Sequence, residues 1–537
     1  MPAQLHGLTH GTRGVALAYT LVVLAMLAAL IRARAPVAKL LIALPLAAPL
    51  TALAGLLAAL TSILLDGSEG PVEGSAGEAI LAGWGAAICA LIGYAAGRIL
   101  AARARSRAPL HLRGAVVAPG GGAGAPPRPS PAPRDSPVTL AGLAIAAEDE
   151  TKHFKLIGTT GTGKSTAIHE MLSAALARGD RAIIADPDGG YRSRFYDPAR
   201  GDVILNPFDR DARKWDLFGE ISNDYDAEQL ARSLIPESGD ADRSWSEYAR
   251  TFVSALAHRL IAGDSRDDRL LYELTTSASV TTLREMLLGT PAGPFLEKGN
   301  ERMFGSIRSI ASSAVRALQY TTRQQAEPIS VRQWVRSGAA RRSGGSGGVL
   351  FLPYRAGEIA ALGSAISAWM RLGIFEALDR GEGDQRLWFV IDELDALGAI
   401  DGLKDALARL RKFGGRCILG FQSIAQVSGT YGRGVAETIV ENCGNTLILR
   451  CSASEHGGTS EFASRLIGQR EVLHTTLSRT RRSGDLRGST TASESVRIEP
   501  TVMASEIERL ADLTGFLKLA SLPDWQAVRI APLSEGH

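Results

Sequence analysis

An α/β fold built on a parallel sheet is predicted for most of this 537-residue chain, and three observations predict it. From Val138 onward, short apolar runs alternate with helical patterns, the sign of a parallel sheet covered on both faces. One run leads into a glycine-rich loop that ends in Lys164-Ser165 and opens a helix. Another run ends in the acidic pair Asp392-Glu393.

Ahead of this region stand three apolar stretches. Residues 15–31, 40–65 and 79–97 carry no charge, the second holding Pro45 and Pro49. Each is compatible with a bilayer-spanning helix, which needs about 20 residues. Proline is tolerated in such helices. Arg32 and Arg34 directly after the first stretch argue against a cleaved signal peptide. Bases flank the stretches at 32–39 and from Arg98 to Arg113, while 66–78 carries only acids. The positive-inside rule then places everything after residue 98 in the cytoplasm. The transmembrane region is expected over 1–108, followed by a Pro/Gly-rich linker over 109–137.

The expected strands are 153–157, 181–185, 202–205, 349–353, 387–391, 416–420 and 445–450. Residues 208–337 show helical patterning with no convincing strand run. They read as an all-α insertion between two parts of the nucleotide-binding domain, 138–207 and 338–537. The Gly/Ser-rich 337–348 reads as its return loop.

Gly158, Thr159, Thr160, Gly161, Thr162, Gly163, Lys164, Ser165 and Thr166 fit Gly-x4-Gly-Lys-[Ser/Thr], a phosphate-binding loop. Glycines let successive backbone N–H groups turn inward around phosphate oxygens. Lys164 is placed to reach the β- and γ-phosphates and Ser165 to hold Mg²⁺, with the helix dipole adding positive potential. Such a loop needs a strand-borne carboxylate and a water-positioning group to hydrolyse ATP. Asp392 is the expected Mg²⁺-side carboxylate, and Glu393 the group that activates water. Gln422, at the end of the next strand, is a candidate γ-phosphate sensor. Arg409, Arg411, Lys412 and Arg416 offer a candidate arginine for a neighbouring subunit's site, the other reading being a favourable helix C-terminus.

Composition excludes other chemistry. Four cysteines form no CxxC, and nine histidines show no metal-ligand spacing, so neither a zinc site nor a disulfide scaffold is indicated. The net charge of +3 arises in residues 1–114, with nine bases and four acids; the remainder holds 50 bases and 52 acids. DNA binding by the soluble part would therefore need local patches. Arg243, Trp245, Tyr248 and Arg250 are candidates, as is the Arg/Ser/Thr-rich stretch read as a loop over 479–497, with Arg479, Arg481, Arg482 and Arg487.

The motifs at 158–166, 185–190, 204–209, 214–221, 387–397 and 420–427, with Tyr431-Gly432, resemble in order and spacing the TrwB/TraD family of coupling proteins. These are the membrane ATPases of conjugation and type IV secretion. The resemblance runs from about 138 to 530. It implies a RecA-like P-loop ATPase with an all-α insertion, anchored in the bacterial inner membrane as a homo-hexamer. It also implies ATP and Mg²⁺ as cofactors, and Lys164, Ser165, Asp392, Glu393 and Gln422 as the nucleotide site. Arg411 matches the family's trans-acting arginine better than Arg416. The expected load is single-stranded DNA with a bound relaxase, passed to type IV secretion channel proteins. This chain departs from the family in its third apolar stretch and in ending without a long acidic tail. Two alternatives remain open: an FtsK/HerA-like DNA pump, and a non-motor nucleotide-binding scaffold of a secretion system.

Overall fold

The computed structural model describes every residue except 1, 33–36, 67–74, 103–109, 121–135, 238–242, 341–347, 380–385, 455–456, 481–488 and 534–537. The chain divides into two compact units. One holds residues 1–112 and 472–497, the other 113–471 and 498–537.

The first unit contains three long helices, Pro2–Arg32, Val37–Asp66 and Ser75–Ala102, which enclose the three predicted apolar stretches. Val22, Met26 and Leu30 are buried among them, while Val15, Leu17 and Leu91 are each more than 60 % exposed. Gly93 and Gly97 let the third helix approach the first. A Cβ there would stand 2.5 Å from the Val22 carbonyl oxygen and 2.6 Å from that of Met26. Small residues at such contacts are what allow helix backbones to pack closely in lipid. Within the described residues, Val15–Arg32 is long and apolar enough to cross a membrane; Ala43–Leu57 and Gly85–Ile99 are shorter apolar helices. The helix Ile359–Leu378 meets the same test, but it lies mostly buried in the second unit and is a core helix.

The second unit is organised by a ten-stranded sheet. Its strands in chain order are β1 Val117–Pro119, β2 Phe154–Ile157, β3 Arg181–Pro187, β4 Val203–Ile204 and β5 Val349–Tyr354. They continue with β6 Leu387–Ile391, β7 Gly415–Phe421, β8 Asn445–Ile448, β9 Thr514–Lys518 and β10 Trp525–Arg529. The spatial order is β1-β10-β9-β8-β2-β7-β6-β3-β5-β4. The seven strands from β8 to β4 are parallel, while β9 runs antiparallel to β8 and β10 to β9.

Continuous apolar runs make the central strands because both faces of the sheet are covered. All five residues of β6 are buried. Trp388 and Val390 face the layer that holds Ile168, Met171 and Leu172 of the helix Lys164–Ala177. Leu387, Phe389 and Ile391 face the layer that holds Ile366, Trp369 and Met370 of Ile359–Leu378.

Among the described residues, seven α-helices lie between β4 and β5, from Asp224–Leu234 to Val331–Ala340. This stretch is not wholly helical. Lys214–Trp215 and Pro328–Ile329 pair as a two-residue parallel ladder at its root. Glu220 fastens the same root. Its carboxylate accepts from the Trp215 indole at 2.9 Å, the Ser330 hydroxyl at 2.9 Å and the backbone N–H of Val331 and Arg332 at 2.7 and 3.0 Å.

Two further expectations are corrected. The segment read as a linker over 109–137 begins with the strand Leu110–Gly114 and with β1, which pairs with β10. The stretch read as a loop over 479–497 falls largely in two long strands, Gln469–Thr480 and Ser489–Pro500. Both strands are polar and the second is largely exposed, so neither carries the apolar run that marks a buried strand. Arg481, Arg482 and Arg487 lie outside the described residues, as does the side chain of Arg479.

Candidate functional site

The glycine-rich loop connects β2 to the helix Lys164–Ala177, at the C-terminal edge of the sheet. Gly163 caps that helix with φ 112°, a conformation L side chains rarely adopt. A Cβ there would also lie 2.7 Å from the Leu513 side chain. Leu513 braces the loop from outside: its N–H donates to the Thr162 carbonyl at 2.9 Å. The Thr159 N–H donates to the Arg450 carbonyl at 2.9 Å. The loop is thus fixed by chain far away in sequence.

Lys164 is buried, and its ammonium donates to the carbonyls of Gly158 at 2.6 Å and Thr159 at 3.2 Å. Burial lowers its pKa, and the nearby carboxylates of Asp392 and Glu393 oppose that shift. Ser165 Oγ donates to Asp392 Oδ2 at 2.6 Å. The Asp392 side chain makes its described hydrogen bonds through Oδ2, with Oδ1 turned toward Gly420 on β7. Two hard oxygen donors at a helix N-terminus are a donor set suited to Mg²⁺.

Glu393 and Gln422 come together from successive strand ends. Gln422 Nε2 donates to Glu393 Oε1 at 2.9 Å, and Thr160 Oγ1 donates to Gln422 Oε1 at 2.9 Å. A continuous chain therefore links the loop to the glutamate. Burial raises the Glu393 pKa, the Gln422 bond lowers it, and repulsion from Asp392 raises it further. The shift makes Glu393 a better proton acceptor than an exposed glutamate.

The basic candidates separate. Arg411 is exposed in the turn Arg411–Phe413 that precedes β7, whereas Gln422 follows β7. At about 3.3 Å per residue, the seven-residue strand puts Arg411 roughly 20 Å from the site of its own chain. Arg416 is buried, ion-paired with Glu150 at 2.7 Å and lying over the Trp388 ring. Among the insertion candidates, Arg250 is buried and donates to the Ile235 carbonyl at 2.7 Å and to Glu247 at 2.8 Å, which makes it a structural group. Arg243 is exposed and pairs with Glu237. Trp245 meets Tyr248 edge-on at 6.0 Å, and Tyr248 leans on Phe295 at 5.3 Å.

Sequence reasoning missed two groups at the site. Asp186, at the end of β3, accepts from the backbone N–H of Tyr191 at 2.9 Å and of Arg192 at 2.7 Å. Burial pushes its pKa up to about 6, against those two bonds. The turn it holds buries Tyr191, whose hydroxyl donates to Asp392 Oδ2 at 2.8 Å. Asp186 stood in the motif at 185–190, but nothing in the sequence brings a tyrosine five residues later to the acid at the end of β6.

A phosphate loop at the edge of a parallel sheet, with strand-end carboxylates beside it, defines a P-loop NTPase of RecA-like fold. Residues 137–531 match the family described as type IV secretion-system coupling protein DNA-binding domain. The chain belongs to this family of TrwB/TraD type IV coupling proteins. The coupling protein TraD of Escherichia coli K12 is 30% identical over 389 residues, which are 72% of this chain and 53% of TraD. The chain thus spans about half the length of that curated relative. Among solved structures, the bacterial conjugative coupling protein TrwBdeltaN70 with sulphate is 30% identical, with a TM-score of 0.67, over 78% of this chain and 94% of that one. TrwB with the non-hydrolysable ATP analogue ADPNP gives 0.66 at 30% identity over the same shares. TrwB with ADP and Mg²⁺ gives 0.64 at 31%, over 74% of this chain and 88% of that one.

Proposed function

We propose that this protein is an inner-membrane, ATP-driven DNA translocase. As a coupling protein it would deliver single-stranded DNA with its bound relaxase to a type IV secretion channel during conjugation. The observation that carries the reading is the hydrogen-bonded chain Thr160–Gln422–Glu393 beside the Ser165–Asp392 pair. A loop that only bound nucleotide for assembly would not need a polarised, half-buried glutamate aimed at it. TrwB, a relative of similar fold, is known with ADPNP and with ADP and Mg²⁺.

In this reading the N–H groups from Gly158 to Thr166 cradle the phosphates, with Gly161, Thr162 and Gly163 at the bend. Lys164 neutralises the β- and γ-oxygens. Ser165 and Asp392 hold Mg²⁺, which when bound offsets phosphate charge and fixes the phosphate oxygens. Glu393 orients the attacking water and takes its proton, and Gln422 keeps Glu393 aimed while sensing the γ-phosphate. Arg411 serves a neighbouring subunit's site in a homo-hexamer, because its own site is out of reach. Residues 1–108 anchor the protein through the stretches 15–31, 40–65 and 79–97, with residues 208–337 as a helical insertion in a cytoplasmic motor. The exposed apolar side chains of the N-terminal helices support this anchor.

ATP turnover measured with and without single-stranded DNA tests the motor. Stimulation by DNA, and loss of transfer in Lys164→Ala, are expected. No stimulation, together with normal transfer by that variant, would overturn the motor in favour of an assembly scaffold.

A further inference from the structure

We infer that Tyr191 is a positioning residue for the magnesium side of this site, a role that rests on the nucleotide-binding reading above. Its hydroxyl donates to Asp392 Oδ2 at 2.8 Å, the same oxygen that accepts from Ser165 at 2.6 Å. Two donors on one oxygen fix the rotation of the carboxylate. Oδ2 is thereby held beside Ser165, where the two oxygens offer a site to a hard cation with its waters.

The two donors come from different elements: Ser165 from the first turn of the helix Lys164–Ala177, and Tyr191 from the turn and short helix Gly190–Phe195 after β3. That turn is held by Asp186 through the N–H groups of Tyr191 and Arg192. The Tyr191 ring is buried and stacks on His169 at 4.6 Å, within the helix that follows the loop. Neither the ring nor the turn can swing without breaking one of these contacts. The aspartate is therefore oriented before nucleotide arrives, and the ordering cost on ion binding falls. Groups that hydrogen-bond a metal-holding carboxylate typically change metal affinity about 10- to 100-fold when removed.

The variant is Tyr191→Phe, which keeps the ring and its stack and removes only the hydroxyl. Binding of a fluorescent, non-hydrolysable ATP analogue is titrated with Mg²⁺, and again in EDTA. The Mg²⁺ concentration for half-maximal tightening should rise about tenfold in the variant, while binding in EDTA stays within about twofold of wild type. An unchanged Mg²⁺ midpoint overturns the role of Tyr191. Equal weakening with and without Mg²⁺ also overturns it, because the tyrosine is then merely structural. If wild-type binding itself ignores Mg²⁺, the assignment of Ser165 and Asp392 fails instead. Direct Mn²⁺ binding to the analogue-loaded protein, read by electron paramagnetic resonance, gives a second measure. An altered Mn²⁺ affinity in the variant is expected, and an unaltered one counts against the proposal.

Discussion

Glu393 and Asp392 are neighbours in sequence that the fold turns toward different partners. Side chains alternate between faces along a strand, so the two carboxylates at the end of β6 diverge. Asp392 meets Ser165 and Tyr191, while Glu393 meets Gln422. The assignment predicts that Glu393→Gln binds ATP as the wild type does, since the amide keeps the shape. Turnover should fall at least about 100-fold, because an amide cannot take the proton from water. Nucleotide binding by fluorescence and phosphate release are the two measurements. Near-normal hydrolysis would show that another group serves as base. Both acids were visible in the sequence as the end of an apolar run; Tyr191 was not, because its partner lies about two hundred residues away.

At the scale of elements, the site depends on β2 and β7 staying in register, and His153 ties them. Its Nδ1 accepts from the Cys417 N–H at 3.1 Å, and its Nε2 faces the Leu407 carbonyl at 2.9 Å, where it must donate. That arrangement requires the neutral ring. Burial accordingly lowers the His153 pKa from 6.5 to about 4. Because the unfolded chain takes up the proton first, this stability is present above pH 6.5 and is lost as pH falls toward 4. The shift corresponds to at most about 3 kcal/mol. In urea unfolding between pH 4 and 7, His153→Gln should lose less stability with acid than the wild type. His169, also buried and lowered to about 4, acts in the same direction, while Asp186, Glu220 and Asp268, raised to about 6, 7 and 6, oppose it. A slope unchanged by the substitution would exclude the tie. The parallel strands around this tie were legible as continuous apolar runs. The antiparallel β9 and β10 were not: they are short and only partly buried. In a single sequence such segments look like surface loop.

For the whole molecule, the decisive placement is Arg411 at the sheet edge opposite the loop. An arginine that cannot reach its own nucleotide can contribute only in an assembly. Arg411→Ala should leave nucleotide affinity and melting temperature unchanged, since the side chain is exposed and no ion pair is described for it. It should cut turnover of the assembled protein by about 10³-fold. Specific ATPase activity of the wild type should also rise with protein concentration as subunits meet. Activity independent of concentration and of Arg411 would exclude a shared site. Arg416 cannot take the part, being enclosed with Glu150 and Trp388.

The sequence by itself determined the phosphate loop, the acidic pair, the central parallel strands and the apolar N-terminal helices. Each is a local pattern: a spacing, a run or a period that physical chemistry ties to one geometry. Tertiary structure alone decided which arginine is free and which is buried. It alone joined Thr160 to Glu393 through Gln422, and brought Tyr191 to Asp392. These are contacts between distant segments, set by the register of neighbouring strands and by which face each side chain takes, and no local pattern encodes them.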